Sequence, residues 1–159
     1  MIKKYSFILG LLVCVISFSS CDRNRVFEQN IDFEDNAWPV KNTPEFAFDI
    51  TDTTATYDIY FNVRNALFYQ YYNLYLRHTL TGPDGKQLSQ QLHEAYLMDK
   101  KTGQPLGDGA GDIFDHQILA IKNQKFKKTG TYKLKLTQYM RKDPLPGIMA
   151  VGIKVSKKE

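Results

Sequence analysis

The chain has 159 residues, a formal net charge of +4 and two cysteines. This length is ordinary for one domain that buries its own hydrophobic core. Two of the positive charges, Lys3 and Lys4, lie in a segment that we expect to be removed, and without them the formal charge falls to +2. A nearly neutral chain argues against a nucleic-acid-binding protein.

The chain begins with the layout of a bacterial lipoprotein signal peptide. Lys3 and Lys4 precede an apolar run from about Tyr5 to Ser17, and Ser20 then leads into Cys21. A run of about a dozen residues is shorter than the roughly 20 that a spanning helix needs, so it predicts a cleaved signal. We expect residues 1–20 to be this signal and Cys21 to carry a covalent lipid. An ordinary secretory signal and an uncleaved anchor are the alternatives.

A lipidated Cys21 has consequences for location and redox chemistry. Several acyl chains hold a protein on a membrane stably. Asp22 to Arg25 contain no run of consecutive acidic residues of the kind that resembles surface-export signals, which favours a protein that faces the periplasm. We expect the outer membrane, with the inner membrane as the alternative because an aspartate directly after the lipidated cysteine can signal retention there. Because Cys14 lies inside the signal, we expect neither a disulfide nor a thiolate zinc site in the mature chain.

Residues 21–44 predict a tether, and residues 45–159 predict the folded domain. Prolines after Trp38 and Thr43 interrupt regular structure, since proline fixes φ and lacks a donor N–H. Phe27 or Trp38 docked on the domain is an option within this interpretation.

From residue 46 onward, apolar residues recur with a period of two, which is typical of half-buried strands. The alternation predicts strands near residues 46–50, 57–63, 74–80, 88–98, 132–136 and 151–155. Residues 82–85, Gly-Pro-Asp-Gly, are a strong turn signal. Residues 106–120 are the least regular part, and no segment shows helical periodicity. About six to eight short strands predict an all-β protein, a single antiparallel β-sandwich that is immunoglobulin-like or jelly-roll-like.

Candidate site residues are sparse. The glycine-rich segment 107–112 is most simply a structural loop, so we expect no metal site, with calcium on Asp108, Asp112 and Asp115 as the weak alternative. The three histidines lie far apart in sequence and form no visible zinc or nucleophile–base pattern. We therefore expect no catalytic residues and no enzymatic activity.

Two further clusters concern binding. Tyr71, Tyr72 and Tyr75 belong to a dense aromatic run and form a possible binding surface, because amphipathic rings favour interfaces and sugar stacking. The alternative is that half of this run faces the core while the rest covers an edge. The basic cluster Lys122, Lys125, Lys127 and Lys128 is most simply a solvated loop, with contact to anionic lipid or a partner as the alternative.

The order of features resembles the GldH-type gliding-motility-associated lipoproteins of Bacteroidetes-type bacteria over nearly the whole mature chain. The residues that carry the resemblance are Cys21–Glu28, Trp38, Asp58–Asn65, Asn73–Leu76, Gly82–Lys86, Gly107–Ile113, Thr129–Tyr132, Met140–Arg141 and Leu145–Ile148. The resemblance implies a non-enzymatic envelope lipoprotein that supports gliding machinery and linked protein secretion, with gliding or secretion components as partners. It implies no catalytic residue and transfers only the lipidated cysteine, onto Cys21. A membrane-anchored glycan-binding module is the alternative function.

Overall fold

The computed structural model describes residues 22–158, which form strands joined by turns and one short 3-10 turn, Glu34–Asn36. In chain order the strands are β1 (Arg25–Asp32), β2 (Ala37–Trp38), β3 (Glu45–Ile50), β4 (Thr56–Ala66), β5 (Asn73–Thr81), β6 (Gln87–Tyr96), β7 (Asp108–Ala110), β8 (Ile113–Gln124), β9 (Gly130–Gln138), β10 (Leu145–Pro146) and β11 (Ile148–Lys158). No helix within residues 22–158 is long and apolar enough to cross a membrane.

The strands form two antiparallel sheets and one small ribbon. The first sheet has the order β1-β11-β4-β8-β7, the second has the order β3-β9-β5-β6, and β10 pairs with β2. Of the eight long strands, only β5 and β6 follow each other within one sheet, and every other connection crosses to the opposite sheet. This is jelly-roll topology, which confirms the predicted antiparallel β-sandwich and selects one of its two variants.

The core forms because alternate side chains of each long strand point between the sheets. Phe61 and Val63 of β4 face Leu76 and Leu80 of β5, and all four are at most 2% exposed. Each large apolar side chain buried in this way contributes about 1.5–3 kcal/mol. The core is continuous from one end of the sandwich to the other.

The predicted tether is wrong from Arg25 onward, because the folded domain begins there rather than at residue 45. Strand β1 pairs with β11 from Arg25↔Ser156 to Asp32↔Ala150. Trp38 is fully buried, stacks on Phe33 with ring centroids 5.2 Å apart, and donates from Nε1 to the carbonyl oxygen of Asn42 at 2.7 Å. The two prolines interrupt strands here but do not prevent the segment from packing.

The irregular stretch 106–120 contains most of β8, a 12-residue strand that the sequence did not predict. Its pairing with β4 shifts register between Ile59 and Tyr60, which face Ile121 and Leu119 respectively. Such a bulge moves later residues to the other face, so the period of two breaks in the sequence although the strand continues.

The topology gives the sandwich two distinct ends. The N-terminal end holds residues 22–24, the connections 51–55, 82–86 and 125–129, and the last residues of β11. The opposite end holds the connections 33–44, 67–72, 97–112 and 139–147, including the β2–β10 ribbon. Each surface feature below belongs to one of these ends or to an outer sheet face.

Candidate functional site

The predicted lipidation residue, Cys21, and the predicted signal peptide lie outside the described residues. The first described residue, Asp22, is held at the N-terminal end, where its carboxylate accepts a salt bridge from Lys154 Nζ at 2.7 Å. This bond holds the pKa of the Asp22 carboxyl below its usual value. Any group on Cys21 is therefore one residue away from this end of the sandwich.

The structure distributes the predicted aromatic run over different environments. Tyr69 is buried, donates from its hydroxyl to the carbonyl oxygen of Asn73 at 2.8 Å, and meets the half-buried Tyr71 edge to face. Tyr72 is 42% exposed at the opposite end, and Tyr75 lies half-buried on the outer face of the second sheet. Of the three predicted binding residues, Tyr72 and Tyr75 share one surface, while Tyr71 packs against the core.

A residue that the sequence analysis missed, Tyr96, completes this surface. Its ring stacks on Tyr72 with centroids 6.2 Å apart and planes 11° apart. Lys100 Nζ lies 4.5 Å from the Tyr96 centroid and 5.1 Å from the Tyr72 centroid, and donates to the Tyr96 hydroxyl at 3.2 Å. A hydrogen bond to Glu94 raises the pKa of Tyr75. We call Tyr72, Tyr75, Glu94, Tyr96 and Lys100 the tyrosine patch.

The tyrosine patch is continuous with an open hollow of about 460 Å³. The hollow is lined by Tyr96, Met98, Asp99, Lys100, Lys101 and Leu106, and the Leu106 side chain is 57% exposed. Further exposed apolar side chains at the same end are Leu67, Phe68 and Tyr139, whose ring carries the Arg77 guanidinium 4.4 Å from its centroid. Exposed apolar groups gathered at one end, with a polar rim, are typical of a docking surface.

The weak calcium candidates do not form a cluster. Asp108 and Asp115 face each other across β7 and β8, and Asp112 lies in the turn between these strands. Both oxygens of Asp115 accept hydrogen bonds from Arg64, at 2.8 and 3.2 Å. Within residues 22–158, no three His, Cys, Asp or Glu side chains stand close enough to hold a metal ion.

A polar hollow of about 320 Å³ lies on the outer face of the first sheet. The Asn62 amide donates to Glu28 and to Asn30, both at 3.1 Å. Gly152 lies beneath the side chain of Asn30 and has no room for a Cβ. Because these amides and carboxylates bond one another, much of their hydrogen-bonding capacity is already used.

Two histidines that lie far apart in the sequence, His78 and His93, are in contact between the sheets. His78 Nδ1 lies 2.7 Å from His93 Nε2, and His78 Nε2 lies 3.0 Å from Ser89 Oγ. Burial lowers the pKa of both histidines, that of His78 to about 4. The order hydroxyl, imidazole, imidazole resembles a nucleophile with its base. A base of such low pKa is poorly matched to neutral pH, however. In addition, the Phe61 ring packs edge-on against the His93 ring, with centroids 5.0 Å apart.

The third histidine, His116, is buried and hydrogen-bonded to a buried asparagine. His116 is 6% exposed, and its Nε2 lies 2.7 Å from Asn65 Oδ1 on the inner face of the first sheet. An amide oxygen only accepts, so His116 Nε2 donates here. Burial lowers the pKa of His116. The His–Asn pair thus satisfies two buried polar groups.

The basic cluster lies at the N-terminal end. Lys122 belongs to β8, and Lys125, Lys127 and Lys128 belong to the connection that follows. All four lysines are exposed, while Phe126 among them is 2% exposed. Sequence spacing grouped the lysines but did not show that they lie at the same end of the sandwich as Asp22, the first described residue.

Comparisons with known proteins agree on one family. The sequence pattern of the family described as GldH lipoprotein matches residues 25–155. A protein of Christiangramia forsetii named "Gliding motility lipoprotein GldH homolog" is 35% identical over 152 residues, which cover 91% of each chain. A protein of Flavobacterium johnsoniae named "Gliding motility lipoprotein GldH" is 29% identical over 156 residues, covering 94% of this chain and 95% of that one.

Among solved structures, the VP2 subviral particle of infectious bursal disease virus aligns with 85% of this chain and 33% of its own. The TM-score is 0.40 and the identity is 16%, so this likeness carries no argument about function.

Proposed function

This chain belongs to the GldH lipoprotein family, and from that membership we propose that it is a gliding-motility-associated lipoprotein of the cell envelope. It acts without catalysis, through protein–protein contacts with components of the gliding machinery and its linked secretion. The lipid on Cys21 anchors it in the outer membrane, with the sandwich facing the periplasm. Anchoring confines the domain to the membrane and raises its effective concentration near partners in the same membrane.

The observation that carries the contact role is the tyrosine patch at the opposite end of the sandwich. Tyr72 and Tyr96 are 42% and 41% exposed, and their stacked rings form an exposed amphipathic surface with the Lys100 ammonium. Tyrosine rings bury much area at low entropic cost and are enriched at protein interfaces. The patch is remote from the N-terminal end, so a partner reaches it without meeting the membrane.

The interior chemistry supports a non-enzymatic role. The Ser89–His78–His93 chain is the arrangement in the described residues that most resembles a catalytic group, yet the His78 ring is 2% exposed. Its lowered pKa also leaves it a weak base at neutral pH. These groups instead link the neighbouring strands β5 and β6 on the inner face of the second sheet.

The test is a co-purification experiment with the tagged, lipidated chain from gently solubilised envelopes. We expect Tyr72→Ala combined with Tyr96→Ala to reduce recovery of gliding or secretion components at least about tenfold, since truncation of a hot-spot residue costs about 2 kcal/mol or more and tyrosine is enriched among hot spots. The control combines Val26→Ala with Leu119→Ala, which removes exposed apolar groups outside the patch. Equal recovery from the patch variant and the control would contradict the contact role.

The same patch favours one second function, glycan binding, because exposed tyrosine faces beside a carboxylate can stack on sugar rings and accept hydrogen bonds from their hydroxyls. A glycan array with the native chain separates the two functions. Retention that disappears in the Tyr72→Ala, Tyr96→Ala variant, together with purification free of protein partners, would replace the contact role by glycan binding.

A further inference from the structure

The end of the sandwich next to Cys21 carries a surplus of positive charge. Its cationic residues are Arg23, Arg25, Lys86, Lys122, Lys125, Lys127, Lys128, Lys157 and Lys158. Among residues 22–158, the carboxylates at the same end are fewer: Asp22, Asp49, Asp52, Asp58 and Asp84. The excess is a property of the fold, because these residues come from separate segments that the jelly-roll topology brings to one end.

Several of the carboxylates are already engaged. Asp22 pairs with Lys154 at 2.7 Å, Asp52 with Lys157 at 2.8 Å, and Asp84 with Lys128 at 3.4 Å. Within residues 22–158, none of Lys122, Lys125 and Lys127 forms an ion pair. The end therefore presents cations whose charge no neighbouring carboxylate neutralises at contact distance.

The loop that carries these lysines is held firmly against the core. Phe126 is buried, and its ring lies 4.4 Å from the Tyr132 ring and 5.4 Å from the Tyr57 ring, centroid to centroid. The Tyr132 hydroxyl donates to the carbonyl oxygen of Lys128 at 2.7 Å. With Phe126 fixed inward, Lys125 and Lys127 on either side of it are directed outward.

A groove of about 340 Å³ runs between this loop and the β5–β6 turn. Its apolar lining includes Pro83 and Leu88, which is 52% exposed, and its basic rim includes Lys125, Lys127 and Lys128. An apolar lining with a cationic rim is complementary to a lipid headgroup region, in which phosphates lie above hydrocarbon.

The position of Asp22, the first described residue, indicates what faces this surface. Asp22 is held on Lys154, and the Cα atoms of neighbouring residues lie about 3.8 Å apart, so the residue proposed to carry the lipid directly precedes a residue fixed at this end. Charges attract across about 8–10 Å at moderate ionic strength. A lipid-bearing Cys21 thus places a bilayer surface at the same end of the sandwich as the lysines.

We infer that the N-terminal end of the sandwich is a membrane-docking surface, on which Lys86, Lys122, Lys125, Lys127 and Lys128 bind the headgroup phosphates of anionic phospholipids in the anchoring leaflet. The inference rests on the proposed lipidation of Cys21. It gives the lipoprotein a defined orientation: the basic end lies on the bilayer and the tyrosine patch points away from it.

The test is lysine footprinting of the full, lipidated chain reconstituted into vesicles. The vesicles contain phosphatidylcholine alone or phosphatidylcholine with phosphatidylglycerol, and a water-soluble acylating reagent modifies exposed lysines, which are quantified by mass spectrometry. We expect acylation of the five docking lysines to slow severalfold in anionic vesicles only, and high salt to remove the difference. Lys101 and Lys142, at the opposite end, are expected to react equally in both vesicles.

Charge-matched variants sharpen the test. Lys125→Gln, Lys127→Gln and Lys128→Gln together should abolish the protection of Lys86 and Lys122. Lys41→Gln, Lys101→Gln and Lys142→Gln remove as many charges at the opposite end and should leave that protection intact. Equal loss in both variants would overturn a docking surface in favour of a general charge effect.

Other outcomes distinguish a lipid headgroup from free phosphate, and a failure of the docking proposal from a failure of the proposed anchor. If inorganic phosphate protects the docking lysines on zwitterionic vesicles, the site binds free phosphate and the docking proposal is overturned. If the lysines are protected only in native envelopes, a protein covers them and the proposal is overturned as well. Mass spectrometry of the N-terminal peptide reports the lipid on Cys21 independently. A lipidated chain with identical footprints in both vesicles contradicts the docking surface alone, while an unmodified Cys21 contradicts the proposed anchor.

Discussion

At the scale of single residues, the interior polar groups explain how the sandwich tolerates three histidines. One ring nitrogen of the His78–His93 pair donates while the other accepts, and Ser89 completes the chain on the far side of His78. Burial makes the neutral ring the favoured form, as the lowered pKa of each histidine indicates. Protonation would place two cations in contact in the interior.

This geometry predicts a loss of stability in mild acid. The pKa of His78 is about 4 in the folded chain and about 6.5 when unfolded, so between these values the unfolded state binds more protons. The stabilisation is complete above pH 6.5 and decreases as the pH falls toward 4. We expect His78 to account for roughly 1–2 kcal/mol of the loss between pH 7 and pH 5.

Urea unfolding at these two pH values, in the native chain and in His78→Gln, measures the effect. The variant should lose less stability between pH 7 and pH 5 than the native chain does. An identical pH dependence in both proteins would show that His78 does not titrate as its burial implies.

At the scale of elements, β1 and the segment after it are part of the sandwich. In β1, Phe27 and Ile31 are half-buried against the core while most of its neighbours are exposed, since β1 is an edge strand. Phe33 and Trp38 then close the core at the opposite end, where the β2–β10 ribbon aligns Trp38 with Leu145. The segment contributes both sheet pairing and buried aromatic area.

The contribution of this segment predicts a large effect of one substitution. Trp38→Ala should destabilise the domain by about 3–5 kcal/mol, because it leaves a cavity among buried side chains. Val40→Ala, two residues further along and 39% exposed, should change stability by about 0.5 kcal/mol or less. Chemical denaturation of both variants checks this, and similar small effects for both would mean that residues 25–44 act as a tether after all.

At the scale of the whole molecule, the two ends of the jelly roll differ in chemistry. The N-terminal end is basic and lies one residue from Cys21, whereas the opposite end exposes Leu67, Phe68, Tyr72 and Tyr96. A sandwich anchored at one end and aromatic at the other is suited to bridging a membrane surface and a protein partner. This bridging role depends on the proposed lipid anchor at Cys21.

The anchor has a direct test at this scale. In a chain whose residues 1–20 are replaced by an ordinary cleavable secretory signal, Cys21→Ala should leave the fold intact but release the protein from membranes, because the covalent lipid is absent. Fractionation after a carbonate wash, with circular dichroism of the released protein, measures both. The control is the unaltered chain. Retention of the variant in washed membranes would show that the anchor claim is wrong.

The fold class could be predicted from the residues alone, because period-two alternation of apolar residues and turn chemistry are local properties of the chain. Strands β3, β4, β5, β6, β9 and β11 and the turn at residues 82–85 follow from them. The resemblance in sequence also indicated the family that the comparisons show. Edge strand β1 and bulged strand β8 escaped prediction, because exposure on both faces or a shift of register erases the alternation.

Which residues share a surface or a bond follows from the folded arrangement of the strands and could not be predicted from the sequence. Tyr96 joins Tyr72 although 23 positions separate them in the printed sequence, and His78 meets His93 because β5 and β6 form a hairpin. The lysines of the 125–129 connection lie at the same end of the sandwich as residue 22 because the crossings between sheets return to one end. Such neighbours depend on strand order and register, which are set by pairing between distant segments rather than by any local pattern.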